Sequence, residues 1–333
     1  MGKLALGIDI GGTSTKLALI DEKGRLVNSA AFPTQAKSGA DAFLGALAAS
    51  ASELMDGAGL GAGNLSGIGI GAPSADEEKG AIEGAANLPF EGEAPVVDYL
   101  SKYFNLPVYL IKDSSAALLG EKYFGAARPY NHFALLTLGT GLGCSLMANG
   151  KLVRGATGLA GEFGHALVRP GGRQCGCGKR GCLETYVSAT GIKRTVFELQ
   201  AELSGPSLLR RIAFEDLTAH DIFKAAESGD ELAGAAFRRT GELLGIKAAD
   251  LVMLFQPEAV IIAGGLAEAG NRLLDPMQEA LEANLLSMHK GKIRLLRSAL
   301  PMNQAALMGA AALVWDNNSV SGSLLYEIHN DIH

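Results

Sequence analysis

GIDIGGTSTKLALIDEKGRLV, residues 7–27, and LLTLGTGLGCSLMANGKLV, residues 135–153, follow one plan. In the first, Leu4 to Ile10 is a predicted strand, GGTST a turn, Lys16 to Ile20 a strand, DEKG a second turn and Arg25 to Ala31 a third strand. In the second, Phe133 to Leu138 is a strand, GTGLG the turn, Cys144 to Ala148 a strand, and NGK turns again into Leu152 and Val153. Strand, tight glycine turn and strand make an antiparallel meander. Its return roughly 130 residues later is an internal duplication. Outward from the first copy, residues 41–56 have helical composition, Gly67 to Gly71 and Val108 to Ile111 read as buried strands, and Ser114 to Tyr123 as a helix. Beyond the second copy the composition is helical after residue 186, with Asp230 to Phe255 the longest candidate. VIIAGGLAEAG then reads as buried strand, glycine turn and helix start, and Asn303 to Trp315 as a closing helix. The class is α/β.

At 333 residues the chain exceeds the usual single-core size, so two domains are expected. A net charge of −6 without a concentrated basic run argues against a nucleic-acid partner. No apolar run reaches membrane-spanning length and no secretory leader is legible, so no membrane partner is expected. Three of the four cysteines sit within eight residues, a spacing that suits metal binding in a reducing cytoplasm better than disulfides.

Gly11-Gly12-Thr13, Gly139-Thr140-Gly141 with Gly143, and Gly264-Gly265 each follow a buried strand. Glycine lets backbone N–H groups converge on an anion without a Cβ in the way. Any one of these turns is also an ordinary hairpin bend. Three together, two of them in duplicated meanders, point to a nucleotide. No G-x-x-x-x-G-K-[ST] string occurs, which excludes a P-loop. The GTGLG turn leads into the strand-like CSLMA rather than a helix, which removes the dinucleotide fingerprint.

His165, Cys175, Cys177 and Cys182 form H-x9-C-x-C-x4-C, four soft ligands suited to tetrahedral Zn2+ in a closed, structural site. Buried free thiols or a redox pair are the alternatives. Asp113 ends a buried strand and is a candidate general base for a hydroxyl; a helix N-cap is the competing reading, since SSAALLGE follows it. GEFGH sets Glu162 three residues from His165, and Glu184 lies two past the last zinc-type cysteine. A metal loop would tether both carboxylates; surface glutamates are the plainer alternative.

DIGGTSTK, LGTGLG and IIAGG resemble the first phosphate, second phosphate and adenosine motifs of the two-lobed actin-like ATPase fold, a duplicated ribonuclease H-like fold with an interlobe cleft. With CGCGKRGC and GEFGH, the chain resembles the ROK family of bacterial sugar kinases from residue 4 to about 315. The resemblance implies ATP-dependent phosphorylation of a hexose or amino sugar, usually at the C6 hydroxyl, with Asp113 as base. It implies that Asp9 positions Mg2+ through water. Gly11, Gly12, Thr13 and Lys16, with Gly139, Thr140, Gly141 and Gly143, would surround the ATP phosphates, and Gly264 and Gly265 would border the adenosine. Glu162, His165 and Glu184 would hold the sugar, joined by Asn87 in NLP, while His165 would also bind the zinc. A small lobe of residues 1–117 with 303–333, a large lobe of 118–302 and a homodimer or higher homo-oligomer are expected. The sequence departs from the family where NDAN becomes Lys112-Asp113-Ser114-Ser115, and where GxPG becomes Gly71 to Ser74, GAPS. Lysine only donates hydrogen bonds, whereas the usual amide also accepts, so the choice of sugar at Lys112 is open. ROK repressors share these motifs behind a helix-turn-helix domain; the first phosphate strand here begins by residue 4, which favours the kinase. The zinc loop and GEFGH disfavour a chaperone- or actin-like ATPase.

Overall fold

A computed structural model of the chain describes residues 4–34, 39–84, 88, 90–301 and 304–316. It divides into two compact units, one drawn from Met1–Pro129, Lys151–Gly158 and Ala299–His333, the other from Tyr130–Gly150 and Leu159–Ser298. The first carries β1 (Leu4–Ile10), β2 (Ser14–Asp21), β3 (Leu26–Pro33), α1 (Ala40–Gly57) and β4 (Leu65–Ala72). Three short strands follow, β5 (Ala75–Asp76), β6 (Ala81–Glu83) and β7 (Glu93–Ala94), then α2 (Val96–Phe104), β8 (Val108–Lys112) and α3 (Asp113–Phe124). Next come β9 (Phe133–Leu138), β10 (Leu142–Ala148), β11 (Lys151–Leu152), α4 (Glu184–Val187), α5 (Ala189–Glu202), α6 (Ala219–Glu227) and α7 (Glu231–Phe255). The chain continues through β12 (Ala259–Ala263), α8 (Asn271–Asn284), β13 (Arg294–Arg297) and α9 (Ala305–Leu313).

One five-stranded sheet has the order β3-β2-β1-β4-β8 and the other β11-β10-β9-β12-β13. These are the same topology: a meander whose first strand then takes a parallel neighbour, itself followed by another. The duplication read from the two meanders therefore extends to whole sheets. Asn149 and Gly150 both take positive φ, 52° and 70°, as an Asn-Gly turn at the end of β10 requires.

Alternation along β1 explains how the first sheet is covered. Leu6, Ile8 and Ile10, with Leu17 and Leu19 of β2, face Phe43, Leu44 and Leu47 of α1 and Leu100 of α2. Ala5, Ala18 and Ile20 face Leu307, Met308 and Ala311 of α9 on the other side. That second face is lined by small residues because helix backbone comes down onto it. A Cβ on Gly69 would overlap the carbonyl oxygen of Ala310, and one on Gly309 would overlap that of Ala116 in α3. Asp9 continues the Ala5–Gly7 register and so emerges on the α9 side.

The expected lobe boundary after residue 117 falls inside α3, which lies wholly in the first unit because α9 packs along it. The helix expected directly after the IIAGG turn is instead a short 3-10 stretch at Gly265–Ala269, with α8 starting at Asn271. Gly270 between them has a φ of 56°, a left-handed kink that no continuous helix accommodates. The strands β5 to β7 and helix α2 were not expected from the sequence; strands of two or three residues are too short to show a period. Among the described residues no helix is long and apolar enough to cross a membrane.

The packing of α9 sets two effects against each other at Gly309. Alanine is the better helix former by about 1 kcal/mol, but its Cβ has no room. Gly309→Ala is expected to lower stability by roughly 1–3 kcal/mol in urea unfolding; a stabilised variant would refute the close approach.

Candidate functional site

In the first unit, Asp9 pairs across the hairpin with Lys16 and, on its other side, with Gly71 of β4. Gly71 in turn pairs with Ile111 of β8, so Asp113, two residues further, leaves the same edge of the sheet as the first residue of α3. Burial pushes the Asp9 carboxyl up to about 6; Lys16 opposes the shift and the charge of Asp113 adds to it. Asp9, Lys16 and Asp113 thus form one electrostatic group. The N-cap of α3 is Lys112, not Asp113, and Lys112 makes no side-chain capping bond. Asp113 Oδ1 accepts from the backbone N–H of Ser114 at 2.6 Å, at a helix end that favours negative charge.

The turn Gly11 to Thr13 is closed by Gly11 N–H donating to the Ser14 carbonyl at 3.1 Å. It is held from behind by Thr34, a residue the sequence reading missed: its N–H donates to the Thr13 carbonyl at 3.0 Å and its hydroxyl to the Gly11 carbonyl at 2.7 Å. Asn87 lies outside the described residues. Ser74, where the family pattern has glycine, has a φ of 49°; the usual glycine suits this left-handed backbone, and serine carries a cost of about 1–2 kcal/mol.

In the second unit, β9 and β12 are parallel neighbours, with Thr137 opposite Ala263, so the turns that follow them are adjacent. Gly264 packs so tightly on Leu138 that a Cβ there would strike its backbone. The Gly139–Gly143 and Gly264–Gly265 turns therefore come together.

The donor atoms of His165, Cys175, Cys177 and Cys182 all lie within 4.8 Å of one another. Tetrahedral zinc with thiolates at about 2.3 Å sets sulfurs about 3.7 Å apart. Cys177 Sγ and Cys182 Sγ are separated by 3.7 Å, and Cys175 Sγ lies 3.6 Å from His165 Nδ1. The donor set fits zinc. His165 Nε2 faces Glu162 at 3.8 Å, while Glu184 begins α4 directly after the cluster. Glu184 Oε2 accepts from the N–H of Leu142 at 3.0 Å, and its Oε1 lies 3.7 Å from Cys175 Sγ. Glu162, His165, the cysteines and Glu184 thus form a chain of contacts ending on the second glycine turn. Gly141 leaves room for the Glu184 carboxylate, which a Cβ there would push aside.

A second residue missed in the sequence, Arg173, anchors this loop. Its largely buried guanidinium donates to the carbonyls of Thr185 (2.7 Å) and Gly191 (2.9 Å), to Thr195 Oγ1 (2.9 Å) and to Glu198 (2.7 Å), and lies 4.4 Å from the Tyr186 ring centre. Its place two residues before Cys175 was the available signal.

Two outcomes follow from this geometry. A raised carboxyl pKa means that ionised Asp9 costs stability above about pH 6, and that the cost vanishes once folded and unfolded states are both protonated, below about 4. Without nucleotide, Asp9→Asn is expected to be more stable than the parent by up to about 3 kcal/mol at pH 8, the gap closing at pH 4. Urea titrations at both pH values test this; a constant gap would contradict it. Metal analysis of the purified protein is expected to find about one zinc per chain, lost in Cys177→Ser; a folded, zinc-free parent would refute the cluster.

The Thermotoga maritima glucokinase is 35% identical over 94% of this chain and 98% of its own length. A xylose repressor from Caldicellulosiruptor bescii is 31% identical over 74% of this chain and 62% of its own. The crystal structure of a ROK family glucokinase from Streptomyces griseus in complex with glucose and AMPPNP matches with a TM-score of 0.76 at 31% identity, covering 93% of this chain and 98% of that one. The fold is that of the actin-like ATPases. The family model described as the ROK family matches residues 5–317, and the chain belongs to the ROK family.

Proposed function

We propose that the chain is an ATP-dependent kinase of a hexose or amino sugar, transferring the γ-phosphoryl group to the C6 hydroxyl with Asp113 as general base. The observation that carries this reading is Glu184, which accepts from the N–H of Leu142 at the second glycine turn and touches Cys175 of the zinc-type cluster. An actin-like ATPase without a sugar substrate has no need of a carboxylate hung between a metal loop and a phosphate turn. Full-length similarity to glucokinases supports the same reading.

In the mechanism, Glu162, His165 and Glu184 hold ring hydroxyls, and Asp113 accepts the proton of the attacking hydroxyl. The new bond joins that oxygen to the γ-phosphorus; the bond from phosphorus to the β,γ-bridging oxygen breaks, and ADP leaves. The glycine turns, with Thr13 and Lys16, stabilise the phosphate charge. Mg2+ bound with ATP supplies further charge neutralisation, and Asp9 would hold it through water. Zinc would be structural: the four protein ligands leave it no open position, and its part is to fix Glu162 and Glu184.

Lys112 replaces an amide that accepts as well as donates, which disfavours any sugar hydroxyl that must donate at that point. An ATP-coupled screen of hexoses and amino sugars tests the whole reading. Some sugar is expected to turn over; Asp113→Asn should reduce turnover by at least about 100-fold with nucleotide binding intact, and Lys112→Asn should move the preference toward glucose. Retained turnover in Asp113→Asn would remove the base, and no turnover with any sugar would remove the kinase.

A further inference from the structure

Thr34 follows the last residue of β3 and is fully buried. Its hydroxyl donates to the Gly11 carbonyl at 2.7 Å. The Thr34 Oγ1–Thr15 Oγ1 contact of 2.9 Å is then donated by Thr15, since the Thr34 proton is already committed. Its backbone N–H takes the Thr13 carbonyl at 3.0 Å. One residue therefore holds two carbonyls of the Gly11–Ser14 turn from behind.

A trans peptide is planar, with its C=O and N–H pointing in opposite directions. Fixing the Gly11 carbonyl fixes the N–H of Gly12, and fixing the Thr13 carbonyl fixes the N–H of Ser14. A turn that binds an anion through backbone N–H groups must have its carbonyls turned away and satisfied elsewhere, or they repel the ligand. We propose that Thr34 is the positioning residue of the first phosphate turn, setting nucleotide affinity by orienting peptides it does not itself belong to. This rests on the kinase reading, in which that turn meets the phosphates of ATP. The Thr15–Thr34 bond lies below the turn and orients no turn carbonyl.

The test is calorimetric titration of the full chain with Mg2+·ADP in the parent and in Thr34→Val, Thr34→Ser and Thr15→Val. Thr34→Val loses the bond to Gly11 and is expected to raise the Kd about tenfold, the worth of one hydrogen bond. Thr34→Ser keeps the hydroxyl and should restore parental affinity. Thr15→Val removes the buried bond donated to Thr34 Oγ1 and keeps the one from Thr34 to Gly11, so it should lower the unfolding midpoint but not change the Kd. If Thr34→Val does not fold, Thr34→Ala carries the same comparison. Parental affinity in Thr34→Val, or equal weakening in Thr15→Val, overturns the clamp alone. A parent chain that binds no ADP overturns the kinase reading and the clamp with it.

Discussion

Asp9 is a carboxylate built into a central strand, and the first unit is organised around the consequences. Asp9 lies on the side of the sheet that α9 covers, and desolvation pushes its carboxyl pKa up to about 6. Lys16 across the hairpin offsets part of the desolvation, while Asp113 works against it. A desolvated carboxylate with a second acidic group nearby is an unfavourable arrangement in the protein alone, of the kind that a divalent cation relieves.

The second unit solves a different problem, that of holding carboxylates in a loop with little core of its own. From Leu159 to Leu183 the described chain has no strand or helix beyond one short 3-10 turn. Its order comes from isolated bridges between Leu167 and Cys182 and between Gln174 and Arg180, and from the cluster of four donors, the Arg173 fork and Glu184 bonded to Leu142. The Arg173 fork and the Glu184–Leu142 bond are directional contacts that tie the loop to α4, α5 and the β9–β10 turn, while Phe163, Val168 and Leu183 pack on the core of the unit. Glu184 touches both the cluster and the glycine turn.

The two departures from the family pattern differ in kind. Ser74 is a backbone matter: it occupies a left-handed conformation that glycine enters without cost, so the substitution affects stability first. Lys112 is a chemical matter: it sits at the junction of β8 and α3 beside Asp113, where a cation replaces an amide. In the proposed kinase, sugar selectivity would follow from the second.

The glycine turns, the carboxylate at a strand end and the cluster of four candidate metal donors were legible because each depends on residue type at short spacing: glycine after a buried run, cysteines a few positions apart, an aspartate closing an apolar strand. The duplicated meander likewise shows itself through alternation, which is local. Thr34 was invisible, since its partners Gly11 and Thr13 are 23 and 21 positions away and a threonine after a strand has no pattern of its own. The lobe boundary was misplaced for a similar reason: α3 belongs to the first unit because α9, from the far end of the chain, packs on it. The sequence by itself determined which chemistry is available and which two topologies repeat, because propensities and ligand spacings are properties of neighbouring residues. Only the tertiary structure decided which carbonyls are held back and which carboxylate touches which turn, because those depend on contacts between segments far apart along the chain.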